Sequence, residues 1–122
     1  MPQLVLIGVH TDPDTAVEEM EALLDVHAAV ERRWNTEDIL ILGDLNADCR
    51  YASGKARKRL TLRTDERFVW LIGDEVDTTT TNTHCSYDRC ALISHMHFLK
   101  FYYCVVSFQF DTKIISWLLS SI

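Results

Sequence analysis

Two short apolar runs, residues 4–9 and 39–42, enclose one long segment of helical periodicity, and this constrains the chain more than any other feature. Leu4-Val5-Leu6-Ile7-Gly8-Val9 is the apolar pattern of a buried strand, ending at His10. Thr11-Asp12-Pro13-Asp14 then supplies helix-start chemistry: an aspartate that can cap, and a proline where its missing N–H does no harm. Between residues 15 and 34, the positions Val17, Met20, Leu24, His27, Val30 and Trp34 recur at three- and four-residue steps. They form one face of a helix, with Glu18, Glu19, Glu21, Asp25 and Glu31 mostly on the others. Early acids and late Arg32 and Arg33 suit the helix dipole. Ile39-Leu40-Ile41-Leu42 shows no alternation and predicts a second strand, buried on both faces. Strand, helix and strand in succession make a β–α–β unit, so the class is α/β or layered α+β.

Beyond this unit, Ser53-Gly54 reads as a loop with a helical turn over residues 55–60. Residues 68–72 are a third apolar run, Asp77 and the threonines after it a polar loop, and Tyr87-Asp88-Arg89 opens another apolar stretch. From Cys90 the character changes. Residues 90–122 contain no Gly, Pro or Glu and hold seven of the chain's twelve aromatics, in strand-like runs without turn signals between them. Such a segment exposes β-prone surface unless it is covered.

A chain of 122 residues fits one small domain, and 48% apolar with 25% charged residues is a globular composition. No stretch is long and charge-free enough for a membrane span; residues 98–122 are interrupted by Lys100, Asp111 and Lys113. Met1-Pro2-Gln3 lacks a basic leader, so no signal peptide is expected. The net charge of −6 is uneven: residues 1–49 carry −9, residues 50–67 carry +5 and the remainder −2. The basic block, Arg50, Lys55, Arg57, Lys58, Arg59, Arg63 and Arg67, is either a solvated surface or a patch that attracts a polyanion. No two of Cys49, Cys85, Cys90 and Cys104 have C-x-x-C spacing. Cys85, Cys90, His84, His95 and His97 cluster in sequence but match no standard zinc framework.

Asp44 and Asn46 follow the second strand, at the carboxyl end where α/β sheets place ligands. Gly43 permits a sharp turn there, after which an oxygen ligand and an amide donor can share a pocket. Asx residues after strands are also ordinary turn formers. His10 ends the first strand and can exchange protons at neutral pH, or simply hydrogen-bond a loop. Asp88 can orient an imidazole, bind metal or pair with a neighbouring arginine. The loop from Asp77 to Thr83 offers one carboxylate and several oxygens suited to Ca²⁺, or is only polar.

Taken in order, V-H-T, then L-G-D-L-N-A-D-C, then D-T-T-T-T-N-T-H-C-S-Y-D-R resembles the deoxyribonuclease I family. R-T-D-E-R-F-V-W-L-I-G-D, from Arg63 to Asp74, is similar to its gamma-type members. The resemblance covers residues 4–89. It implies a partial DNase I-like (endonuclease/exonuclease/phosphatase) α/β sandwich over residues 1–89, with residues 90–122 an apolar tail unlike the family. It further implies a Mg²⁺- and Ca²⁺-dependent endodeoxyribonuclease of DNA catabolism, with DNA as partner, no membrane and no defined protein partner. His10, Asp44, Asn46 and Asp88 would be catalytic, with Asp44 also at the metal. Asn46, Tyr87 and Thr83 would contact substrate, and Asp77, Thr79, Thr81 and Thr83 would form a structural Ca²⁺ loop. Cys49 and Cys85 would pair as a disulfide worth roughly 3–4 kcal/mol by chain entropy.

The resemblance also implies incompleteness at both ends. Family enzymes use two carboxylate–histidine pairs, and each is half present here: His10 without its Glu, Asp88 without the His of an S-D-H segment. His95 and His97 follow unrelated sequence and take neither role. Leu45 stands where Phe is usual, a mild packing change. The expectation is weak or absent activity, with a non-catalytic DNA- or partner-binding fragment, or an incomplete gene product, as the alternative. The family reaches an oxidising compartment by secretion or in the ER lumen. Without a signal peptide, a nuclear or cytoplasmic location is the alternative.

Overall fold

The computed structural model describes residues 4–93. They form strand β1 (Val5–His10), helix α1 (Ala16–Trp34), strand β2 (Ile39–Asp44), short helices α2 (Gly54–Arg57) and α3 (Thr61–Thr64), and strands β3 (Phe68–Trp70) and β4 (Asp88–Ile93). The four strands make one sheet in the order β1-β2-β4-β3. β1 and β2 are parallel and joined by α1, the expected β–α–β unit, while β4 runs antiparallel to both β2 and β3. The mixed α/β class and a partial DNase I-like architecture therefore stand. β4 carries the ladder through Ile93, four residues past Arg89.

α1 starts later than its first signals. Asp12 forms a turn, its carbonyl accepting from Thr15 N–H at 3.2 Å and its Oδ1 from Asp14 N–H at 2.8 Å. Glu19 Oε1 accepts from Asp12 N–H and the Thr15 hydroxyl, which ties that turn to the helix. The helix closes at Asn35 in the left-handed conformation, φ 49°. Its buried residues are Ala16, Met20, Leu23 and His27: Met20 and His27 lie on the expected stripe, Ala16 and Leu23 one position before Val17 and Leu24, which are partly buried against the core, and Trp34 is 52% exposed. Both stripes are apolar; contact with the sheet selects between them. His27 is edge-on to Phe68 with ring centroids 5.0 Å apart, and desolvation lowers its pKa.

One face of the sheet packs with α1, α3 and the 45–52 loop into a core including Met20, Ile41, Leu45, Leu60, Leu62, Phe68 and Ile93. On the other face, Leu40, Cys90 and Leu92 cluster with Ile72. β2 is buried on both faces over Ile39, Leu40 and Ile41, as its unbroken run predicts. β1 corrects the expectation of a buried strand: it alternates, and Leu6 is 52% exposed. Its composition is that of a buried strand, but as the end strand of this sheet it is covered on one face only.

Candidate active site at the rim of the sheet

Register brings the site together. In the parallel pairing His10 lies opposite Asp44, and in the antiparallel pairing Asp44 lies opposite Asp88. Side chains directly opposite across strands share a face, so the three form one row at the end of the sheet. His10 Nε2 is 3.8 Å from Asp44 Oδ2, with the imidazole 77% exposed and the carboxylate 39%. Burial pushes the Asp88 carboxyl above the ordinary carboxylate range; the charge of Asp44 adds to this, and His10 opposes it.

The backbone around Gly43-Asp44-Leu45-Asn46 explains why this row exists. Gly43 has φ +138°, and a Cβ there would lie 2.0 Å from the Val9 carbonyl oxygen. Only glycine lets β1 and β2 approach so closely at this point. Asn46 is left-handed, φ 46°, and its N–H donates to Asp44 Oδ1 at 3.0 Å. The Asn46 side-chain amide donates to the Thr11 carbonyl at 2.9 Å, and Thr11 N–H donates to the Asp44 carbonyl at 3.0 Å. Leu45 and Ala47 N–H both donate to the Tyr87 carbonyl, at 3.0 and 3.4 Å. One loop thus ties together the ends of β1, β2 and β4.

Cys49 and Cys85 are bonded, as the resemblance implies, linking this loop to the one that begins at Asp77. In that second loop Asp77 Oδ1 accepts from Thr79 N–H and hydroxyl, the Thr79 hydroxyl oxygen also lies 2.6 Å from the Thr83 carbonyl oxygen, and Thr81 and Thr83 hydroxyls are 2.7 Å apart. The Thr79 hydroxyl, foremost, holds the Asp77 carboxyl below its usual range. Between the two loops runs an open groove of about 450 Å³ lined by the disulfide, Arg50, Tyr51, Thr81, Thr83 and Tyr87. Thr83 and Tyr87 therefore share one groove, beside the rim row.

Among the described residues, no three His, Cys, Asp or Glu side chains converge to hold a metal ion. The donors present are still hard oxygens: two facing carboxylates, Asp44 and Asp88, on the rim, and one carboxylate with threonine oxygens in the 77–83 loop. The first pair suits Mg²⁺, which keeps several waters, and the second set suits Ca²⁺.

Several residues here escape a sequence reading. Thr78 accepts N–H bonds from both Tyr87 and Asp88 at 3.0 and 3.1 Å, joining the second loop to the row. Thr11 is 1% exposed beneath Asn46. The arginine next to Asp88 does not pair with it: Arg89 is fully buried and pairs with Asp74 at 2.9 Å. Their sequence positions carry no signal of these roles, which depend on contacts across the fold.

The basic block is also largely structural. Arg57 bonds Asp48 and Asp74, Arg63 bonds Asp74, Arg67 bonds Asp65 and Arg50 bonds the Tyr51 hydroxyl. Lys55, Lys58 and Arg59 remain exposed. His95 and His97 lie outside the described residues, and no helix among the described residues is long and apolar enough to cross a membrane.

The endonuclease/exonuclease/phosphatase family matches residues 2–109. Deoxyribonuclease gamma of Homo sapiens is 49% identical over 89 residues, covering 72% of this chain and 29% of that protein. Deoxyribonuclease-1-like 2 of Mus musculus is 49% identical over 87 residues, 71% of this chain and 31% of that protein. Deoxyribonuclease-1 of Rattus norvegicus is 44% identical, with the same two shares, 71% and 31%. The chain therefore spans less than a third of the length of these curated relatives.

Proposed function

The chain belongs to the endonuclease/exonuclease/phosphatase family, and from that premise we propose that it carries the metal-dependent site of an endodeoxyribonuclease acting on DNA phosphodiester bonds. The observation that carries the reading is the row His10, Asp44 and Asp88, set side by side on three adjacent strands. The deoxyribonuclease names of the relatives supply the substrate class.

In this reading water attacks phosphorus in line with the leaving oxygen. His10 moves a proton at its exposed imidazole, a task worth about 10²–10⁴-fold in rate. Asp44, 3.8 Å away, orients that imidazole. Asn46 fixes Thr11, its amide donating to the Thr11 carbonyl at 2.9 Å and the Thr11 hydroxyl at 3.5 Å, and with it the backbone that presents His10. Asp88, more readily protonated than an ordinary carboxyl, shares a cation with Asp44 or orients a second imidazole. Tyr87 and Thr83 line the groove along which the strand's phosphates run. Asp44 would hold Mg²⁺, which would supply positive charge beside the phosphate, and Asp77, Thr79, Thr81 and Thr83 would hold Ca²⁺, which would stiffen the groove wall. The Cys49–Cys85 bond favours an oxidising compartment, secreted or lumenal. Residues 1–89 are the part assigned to this chemistry.

A binding-only reading is favoured by one observation: Lys55, Lys58 and Arg59 project from the α2 region without ion-pair partners among the described residues. Plasmid nicking in Mg²⁺ and Ca²⁺ separates the two. Nicking abolished by both His10→Ala and Asp44→Ala supports the enzyme. Salt-sensitive DNA binding with no nicking supports the binder.

A further inference from the structure

Behind the rim row, on the opposite side of β4 from Asp88, lies a second polar cluster. Arg89 is 0% exposed. Its guanidinium donates to the Ile72 carbonyl at 2.9 Å and the Ala47 carbonyl at 3.0 Å, and pairs with Asp74 Oδ1 at 2.9 Å. The Trp70 ring centroid is 5.5 Å from its carbon. Asp74 in turn reaches Arg57, and Arg57 pairs with Asp48, whose other oxygen accepts from Ser86 N–H at 2.8 Å. Ala47 directly follows Asn46, which with Cys49 is one of two residues of the site loop in a left-handed conformation that a non-glycine residue seldom adopts.

We propose that Arg89 is the positioning residue of the site, a buried clamp that holds the Ala47 carbonyl and so keeps Asn46 in the conformation that presents its amide to Thr11 behind His10. The inference rests on the reading of His10, Asp44 and Asn46 as site residues, but its geometry does not require DNA cleavage. Burying a guanidinium is costly, and such a group persists where several acceptors converge on it. Here three acceptors come from two separate segments: the Ala47 carbonyl of the site loop, and the Ile72 carbonyl and Asp74 carboxylate of the turn after β3. A fork with fixed donor directions meets all three, which a lysine ammonium on a flexible stem does not. The buried Nε has no partner among the described residues, so the cluster accepts one unsatisfied donor to keep this arrangement.

The test is amide hydrogen exchange on Arg89→Lys and on Leu23→Ala, a core truncation far along α1 that serves as the stability control. Arg89→Lys is expected to speed exchange at Asn46 and Ala47 by about tenfold or more relative to amides in α1, and to shift the Asn46 side-chain amide resonance. Leu23→Ala is expected to raise exchange in α1 and leave that resonance in place. Should Arg89→Lys not fold, Asp74→Asn, which keeps the arginine but removes its anion, is read the same way. Wild-type exchange at residues 46–47 in the arginine variant, or equal loosening there in the core variant, overturns the clamp. If the protein nicks DNA, Arg89→Lys lowers kcat with KM little changed. If it does not, selective loosening still upholds the clamp while the enzymatic reading falls.

Discussion

On one side of β4, Asp88 shares the rim with Asp44 and a single imidazole; on the other, Arg89 lies among Asp74, Asp48, Arg57 and Arg63. The two residues are consecutive, yet one region leaves its charges poorly matched and the other matches nearly all of them. The contrast shows in the carboxyls. Burial and a like charge push Asp88 up, whereas Asp74, despite the opposing effect of burial, is held down to about 2 by Arg63, Arg89 and Arg57. The matched cluster stabilises a shape. On the proposed reading the unmatched rim takes a cation and a phosphate, since among the described residues no lysine or arginine pairs with its two carboxylates.

The sharpest way to break this comparison is to remove the rim's imidazole. His10→Ala is expected to reduce nicking by about 10²–10⁴-fold while leaving thermal unfolding unchanged, since His10 is exposed. An unfolding midpoint lowered along with activity would place His10 in the structural region instead. On the matched side, Cys85→Ser opens a link of sequence separation 36 and is expected to cost roughly 3–4 kcal/mol in urea unfolding.

Asp74→Asn tests the cluster itself, stranding a buried arginine at a cost on the order of 3 kcal/mol. The folded-state pKa of Asp74 lies below its ordinary value, so its ionic contribution is complete above the ordinary value and vanishes as pH falls through about 2. The gap between wild type and Asp74→Asn should therefore close in strong acid. Asp88 has the opposite sign: raised in the folded state, its ionisation costs stability once pH exceeds the ordinary carboxylate value. Asp88→Asn should be neutral in acid and raise Tm at pH 7. A fall in Tm at pH 7 would mean the rim is better matched than its geometry indicates. The smallest effect concerns the α2 region. Lys58→Ala with Arg59→Ala should alter stability by no more than about 0.5 kcal/mol, and lower the salt slope of any DNA binding by about 1 per lysine or arginine removed.

Legibility followed the range of the interactions. α1 was readable to within a residue at each end because a 3.6-residue period, with acids early and Arg32 and Arg33 late, is a local property. Which of two overlapping stripes it buries was not, since Ala16 and Leu23 differ from Val17 and Leu24 only in what the sheet presents to them. His10 beside Asp44 was foreseeable once two strands joined by a helix were taken as parallel neighbours. The bland alternative for Asp88, a pair with its adjacent arginine, is excluded because successive strand residues point to opposite faces. In the basic block the surface reading holds for Arg50, Lys55, Lys58, Arg59 and Arg67 and fails at Arg57 and Arg63, because the acids that engage these two stand up to seventeen residues away.

By itself the sequence determined the β–α–β unit, the sharp turn at Gly43 and the family to which the motifs belong, all carried by residues close together along the chain. Only the tertiary structure decided that Asp88 joins His10 and Asp44 while Arg89 clamps the loop from behind. That outcome depends on β4 pairing with β2 in one register, and a register is a property of two segments in contact, which neither segment specifies alone.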